Sequence, residues 1–329
     1  MRKLLSLLVI LGLLITTWLT WVTFIPHTPE SMPLVVDVPA GQSLSQTAEQ
    51  FAQQDAIKSA WAFQIVARLT GLDTRIKAGD YRLVKATSMW ELFARLEKGE
   101  AGEYTITAFE GWTFRQFRQA LAKHPALKHD TAALSDRELL QKLGSEHDHP
   151  EGLFFPDTYF FLKGTSEFAL LKRAYDKMQQ ELQRAWEVRQ PNLPYQNPYE
   201  LLKMASIIEK ETGHEEDRAH VAAVFVNRLN IGMRLQTDPS VIYGVGAAYN
   251  GKITKRHLLT DTPYNTYTRS GLTPTPIALP SRAALEAAAN PAPSRALYFV
   301  ARGDGTSQFS ETLDEHNAAV RKYILGKGD

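Results

Sequence analysis

Two glutamates separated by one residue, Glu209 and Glu211, stand near the end of the run YELLKMASIIEKETG, residues 199–213. A carboxyl group kept neutral near pH 7 can protonate a leaving oxygen and take a proton back afterwards. The chain has no cysteine, which removes thiol nucleophiles, thiolate metal sites and disulfides together. Its histidines offer little more. His147-Asp148-His149 alternate in direction, and His214, Glu215 and His220 miss the H-E-x-x-H spacing. The expectation is carboxylate chemistry without metal or cofactor.

Helix geometry treats the two glutamates differently. Asn197 as N-cap, Pro198 at N1 and Glu200 at N3 make a strong helix start. Leu201, Met204, Ala205 and Ile208 then share one core-facing stripe. At about 100° per residue Lys210 points away, while Glu209 and Glu211 fall on the flanks, each about 80° from the stripe centre. Ile207, Ile208 and Met204 lie behind Glu211; Ser206, Ala205 and Leu202 lie behind Glu209. Aliphatic neighbours strip water from a carboxyl and raise its pKa, and a helix C-terminus disfavours negative charge. The geometry leans toward Glu211 and does not exclude Glu209.

The elements around this helix can be read from their patterns. Upstream, EGLFFPDTYFF (151–161) is a strand or turn whose aromatics could line a cleft, and Phe168–Trp186 is a helix with Leu170, Leu171, Ala174, Met178 and Leu182 in phase. His124–Glu151 reads as connections around one short helix. Downstream, Glu215, Glu216 and Asp217 open a helix with an apolar stripe of Val221, Val224, Phe225 and Leu229. MRLQTDPSVIYG (233–244) is dense in amide, hydroxyl and phenol groups. Leu259–Pro280 is a long Pro/Thr-rich loop bearing Tyr264, Asn265 and Tyr267, side chains suited to the rings and hydroxyls of sugars.

At the other end, Leu4–Ile25 carries no charged side chain and is long enough to cross a hydrocarbon core of about 30 Å. Arg2 and Lys3 precede it, so the positive-inside rule places the N-terminus in the cytoplasm. Trp18 and Trp21 suit the far interface. A cleaved signal peptide would have an apolar region of about 7–15 residues and a small-x-small site, whereas this run ends in TTWLTWVTFIP. After a linker at 26–34, a strand–turn–cap–helix pattern recurs. Val35–Val38, the turn Pro39-Ala40-Gly41 and cap Ser43 lead to a helix through Leu44, Ala48, Phe51 and Ala52, then to Ala60–Leu69 ending at Gly71. Strand Asp80–Val84, cap Ser88 and helix Met89–Leu96 repeat it. Strand Glu103–Phe109, cap Thr113 and helix Phe114–Ala122 repeat it again. The segment VPAGQSLSQTAEQFA resembles a LysM module, a small glycan-binding fold; a spacer is the alternative.

The 329 residues, 44% hydrophobic and 22% charged, fit about two globular domains, and a net charge of +1 argues against nucleic-acid binding.

ASIIEKET (205–212), VFVNRL (224–229), GMRLQTDPSVIYG (232–244), YNTY (264–267) and EGLFFPDTY (151–159) resemble the YceG-like family in both content and order. The resemblance covers nearly the whole chain. It implies an α+β protein with cytoplasmic residues 1–3, a transmembrane helix at 4–25, a small LysM-like α+β subdomain at 35–104 and a larger α+β catalytic domain at 105–329. It implies that the second Glu of E-K-E-T, Glu211, is catalytic, with Gln236, Tyr243, Asn265 and Tyr267 contacting substrate; Ser240 stands where Thr is expected. The implied activity is endolytic peptidoglycan lytic transglycosylation. Glycan strands would be the substrate and membrane-bound peptidoglycan synthases (penicillin-binding proteins) the partners. The body would be periplasmic, tethered to the inner membrane. Two other readings stay open. A lysozyme-like hydrolase would need a second carboxylate about 5–9.5 Å away, for which Glu151, Asp157 and Asp238 are the motif-borne candidates. A glycan-binding scaffold would leave Glu211 in bulk solvent.

Overall fold

The computed structural model describes residues 2–39, 41–99 and 104–326. The chain forms two compact units, Met1–Thr105 with Phe160–Thr165, and Ile106–Tyr159 with Ser166–Asp329. Both mix helices and short strands.

The first unit begins with the apolar helix α1 (Arg2–Phe24), followed by β1 (Leu34–Val38), α2 (Leu44–Gln53), α3 (Ala60–Thr70), β2 (Gly79–Leu83) and α4 (Met89–Lys98). Ser43, Ser59 and Ser88 cap the three short helices by accepting from a backbone N–H in the first turn. Gly71 and Gly99 end α3 and α4 in the left-handed conformation that only glycine adopts cheaply. β1 and β2 pair antiparallel, Leu34 opposite Leu83 and Val36 opposite Tyr81, so alternate side chains enter one core with Phe51, Phe63 and Phe93. Their other face sets Asp37 opposite Asp80. Lys163 lies 3.8 Å from the first and 3.2 Å from the second, and Tyr104 donates to Asp80 at 2.7 Å, which offsets the like-charge pairing. The expected strand at 103–109 is shorter, β3 (Tyr104–Thr107); Glu103, and Ala40 of the expected 39–41 turn, lie outside the described residues.

The chain continues through α5 (Phe114–Ala122), β4 (Leu127–Lys128), α6 (Asp136–Leu143), β5 (Thr158–Phe161), β6 (Thr165–Ser166) and the long α7 (Glu167–Glu187). Then come α8 (Pro198–Glu211), α9 (Glu215–Asn230), α10 (Asp238–Val245), α11 (Lys255–Leu259), α12 (Arg282–Ala289), the hairpin β7 (Tyr298–Ala301) and β8 (Ser307–Ser310), and α13 (Leu313–Tyr323). Phe154, Phe155, Tyr159 and Phe161 are buried, so these aromatics of the 151–161 run are core rather than cleft wall.

α8 is the helix on which α7, α9, α10 and α12 of the second unit pack. Asn197 caps it through the Glu200 N–H at 3.1 Å, with Pro198 in its first turn. The predicted stripe is buried, but so are Leu202, Ser206 and Ile207, because α7, α9 and α12 all pack on this helix. α12, RAALEAAA, is almost all alanine on its buried side, which lets its backbone lie close to α8. The Ser206 hydroxyl accepts from the Ile277 N–H at 3.0 Å and ties the long loop to α8.

Gly152 fixes the other approach to the site. It has φ of +79°, and an added Cβ would fall 2.4 Å from Cβ of Pro276. Gly152→Ala therefore combines left-handed strain with a clash against a rigid ring. It should lower unfolding free energy by about 2–4 kcal/mol in urea titration; a loss below a few tenths would show that the loop yields freely.

Candidate active site

α8 ends at the candidate acid. Thr212 turns to extended backbone after Glu211, leaving the glutamate on the last helical turn. Glu211 is half-buried, and loss of hydration pushes its carboxyl up to about 7. The Thr237 hydroxyl donates to Glu211 Oε1 and opposes this shift, the nearby charge of Asp238 adds to it, and the Arg228 guanidinium weakly opposes it. The outcome is an acid poised to hold or release a proton near neutrality.

Glu209 is committed elsewhere. Its Oε2 accepts from the Ser281 N–H at 2.9 Å and from the Ser281 hydroxyl at 2.5 Å, which secures the N-terminus of α12. Lys210 is exposed, as its helix position demands, and donates to the Gly111 carbonyl at 3.2 Å. One helix thus ties its first glutamate to Ser281 and its second to Thr237.

The partner of Glu211 is held by a chain of contacts. Arg228 of α9 is buried; its guanidinium donates to the carbonyls of Leu235 at 2.5 Å and Leu297 at 2.7 Å. This pins the strand of chain that leads to Thr237. Gln236 is exposed in the left-handed region at φ of +51°, its N–H bonded to the Thr266 carbonyl at 3.2 Å. The Thr237 N–H donates to the Thr266 hydroxyl at 3.0 Å, and Ser240 lies 2.8 Å from that same hydroxyl. The hydroxyl at position 240 thus has a defined place in the cluster.

The residues expected to contact substrate occupy different settings. Asn265 is fully buried, its amide donating to the carbonyls of His257, Leu258 and Thr260 while its oxygen accepts from the Tyr267 N–H. It clamps the loop. The Tyr267 hydroxyl donates to Asp238 at 2.6 Å, beside Glu211, and burial pushes that phenol's pKa up. Tyr243 lies farther along α10. Its hydroxyl donates to Glu151 Oε2 at 3.0 Å, and its ring meets Tyr264 edge-on at 4.9 Å.

Glu151 is a second poised carboxyl. It is 3% exposed, and desolvation pushes its pKa up to about 7 against hydrogen bonds from the Phe114 N–H and Tyr243. An open cleft lined by Arg115, Arg118, His149 and Tyr243 reaches it. α10 therefore presents one hydroxyl partner to each acid, Thr237 at its cap and Tyr243 six residues on. Those positions are separated by roughly 9 Å along the axis and about 240° around it, so the acids approach different sides of α10. Of the other candidate carboxylates, Asp157 is paired with Lys177 and Asp238 accepts from Tyr267. Among the described residues no cluster of His, Cys, Asp and Glu could hold a metal ion.

Sequence reasoning missed Thr237 and Arg228. A threonine directly after Gln236 and an arginine inside the apolar VFVNRL run were the available signals.

The family model for the YceG-like family matches residues 36–322. An endolytic murein transglycosylase of Bacillus subtilis is 33% identical over 311 residues, which span 89% of this chain and 86% of that protein. One from Streptococcus pneumoniae is 28% identical over 89% of this chain, which spans 59% of that longer relative. The solved structure of a yceG-like protein from Listeria monocytogenes matches with a TM-score of 0.55 and 30% identity, covering 86% of this chain and 97% of that one.

The raised pKa of Glu151 has a thermodynamic consequence. Between about 4.5 and about 7 the folded state keeps a proton that the unfolded state has lost, so the stabilising contribution is complete below 4.5 and vanishes as pH rises through 7. Glu151→Gln should be more stable than the parent above pH 7, by on the order of 3 kcal/mol, with the advantage disappearing toward pH 4.5. Urea unfolding as a function of pH reads this directly, and an unchanged pH profile would contradict it.

Proposed function

The chain belongs to the YceG-like family, and we propose that it is an endolytic peptidoglycan lytic transglycosylase in which Glu211 is both acid and base. Protonated Glu211 donates to the glycosidic oxygen between N-acetylmuramic acid and N-acetylglucosamine. The C1–O bond breaks through an oxocarbenium-like centre, and the leaving sugar keeps the proton on its 4-hydroxyl. The muramoyl 6-hydroxyl oxygen then closes on C1 while its proton passes to the Glu211 carboxylate. A 1,6-anhydro ring forms, no water is consumed, and Glu211 ends as it began. Because Thr237 engages Oε1, Oε2 would be the oxygen left to meet the substrate.

The single observation that carries this reading is a carboxyl raised to about 7 on the last turn of α8. An acid of that kind is protonated in a useful fraction at neutral pH. The arrangement of the other carboxylates supports an intramolecular nucleophile over activated water, since Asp157 is ion-paired and Glu151 is reached from another side of α10. Asp238 is the carboxylate a hydrolytic route would have to use, and products separate the two routes. The exposed, left-handed Gln236 is suited to meet substrate directly, and Tyr267 to do so through its place beside Asp238. Tyr243 would contact the glycan farther along α10, and Asn265 would act by holding the loop.

The same reading makes residues 4–25 the anchor in the inner membrane, supported by a helix with mean hydropathy 2.1 over Ser6–Phe24. The body would work in the periplasm, where nascent strands leave their membrane-bound synthases, and cutting there would limit strand length. Residues 35–104 would form a LysM-like glycan-holding subdomain, a reading supported by the β1-α2-α3-β2 order, and residues 105–329 the catalytic domain.

Glu211→Gln should retain the fold and lower release of anhydro-ended glycans from purified peptidoglycan by about 10²–10⁴-fold. The parent rate should fall as pH rises through about 7, as the acid loses its proton. Mass spectrometry of the products decides: reducing ends from the parent enzyme, or near-parental release by the variant, would overturn the assignment.

A further inference from the structure

The anchor has the length to cross a bilayer only if its last turns, which the folded unit covers, enter the membrane as well. From Leu4 to Trp18 the helix rises roughly 22 Å, against a hydrocarbon core of about 30 Å. The missing length lies between Trp18 and Phe24, and that stretch is already clad by protein. Trp18 packs on Trp61 of α3 with ring centroids 5.9 Å apart, and Phe24 packs on Trp90 of α4 at 5.7 Å. Val22 and Thr23 are buried, and the Lys58 ammonium sits 4.0 Å above the Trp21 ring.

What this cladding turns outward is apolar and aromatic. Trp61 is 56% exposed and Leu69 80% exposed, and with the half-buried Ile65 they recur every four residues along one face of α3. Arg68 flanks them and Lys58 stands just before the helix. An amphipathic helix with tryptophan and leucine on its outer face and cations at the margin is suited to the headgroup–acyl boundary. Tryptophan rings favour that depth, and the cations reach lipid phosphates.

We infer that the outer face of α3, with Trp90 of α4, is a membrane-binding surface that rests in the leaflet at the C-terminal end of α1. The inference depends on the reading of α1 as a membrane span. Immersing this face completes the hydrophobic match and replaces bilayer thinning as the way to seat an anchor whose last turns are covered. It also fixes the height and tilt of the first unit above the membrane, which a flexible tether would leave free.

The absence of cysteine allows clean single-site labelling of the full-length chain. Leu69→Cys, Leu11→Cys and, as a reference in the second unit, Asp314→Cys would each carry an environment-sensitive nitrobenzoxadiazole dye; all three positions are exposed. The proteins are reconstituted in phosphatidylcholine–phosphatidylglycerol vesicles containing lipids with a nitroxide either near the headgroup or deep in the acyl chain. The expected result is quenching at position 11 by the deep nitroxide, several-fold stronger quenching at 69 than at 314 by the shallow one, and a blue-shifted emission at 69. Quenching at 11 with 69 no more quenched than 314 overturns the surface while the anchor stands. Absence of quenching at 11 overturns the anchor, and the surface with it.

Discussion

The burial of one carboxyl at the end of a helix is the constraint that the rest of the second unit serves. α8 is enclosed by α7, α9 and α12, so its last turn delivers Glu211 to a place where hydration is lost but the helix no longer covers it. A carboxylate there is doubly disfavoured, by desolvation and by the helix dipole. Thr237 supplies a single hydroxyl against that penalty, and Asp238 adds a neighbouring negative charge. The Arg228 guanidinium, sunk between Leu235 and Leu297, holds the segment that places Thr237. Removing any of these would change where the proton sits.

Much of this was legible in the chain itself. The Asn-Pro-Tyr-Glu start, the apolar period of α8 and the flank position of Glu211 follow from local geometry, and the boundaries of α5 and the caps at Ser43, Ser88 and Thr113 follow from turn chemistry. What was not legible depends on partners far away in sequence. Local neighbours lean toward Glu211, but they do not show that Glu209 binds Ser281 and Glu211 binds Thr237. Helical phase put both on the flanks, and the tertiary fold assigned them. Asn265 shows the same limit, because its three carbonyl partners come from residues whose approach local pattern does not show. The stripe on α8 was too narrow for a related reason: periodicity finds one buried face, whereas a helix on which four others pack has several.

The two units pose different physical problems. In the second, polar groups are drawn inward, and Glu151 and Glu211 are kept near neutrality by burial that a soluble core would ordinarily avoid. In the first, apolar groups are left outside, with tryptophans of α3 and α4 gathered on the last turns of an apolar helix. Each departs from the usual rule of polar outside and apolar inside. An acid poised near neutrality answers the one, and the proposed lipid surface would answer the other.

The central claim is that Glu211 holds its proton near neutral pH in the folded protein. The most direct measurement is carbon-13 NMR of protein labelled at the glutamate side-chain carboxyls, titrated alongside Glu211→Gln to assign the resonance. A carboxyl that titrates near 7 in the parent and is missing from the variant is the predicted result. A Glu211 resonance that titrates at about 4–5, with the exposed glutamates, would contradict the account.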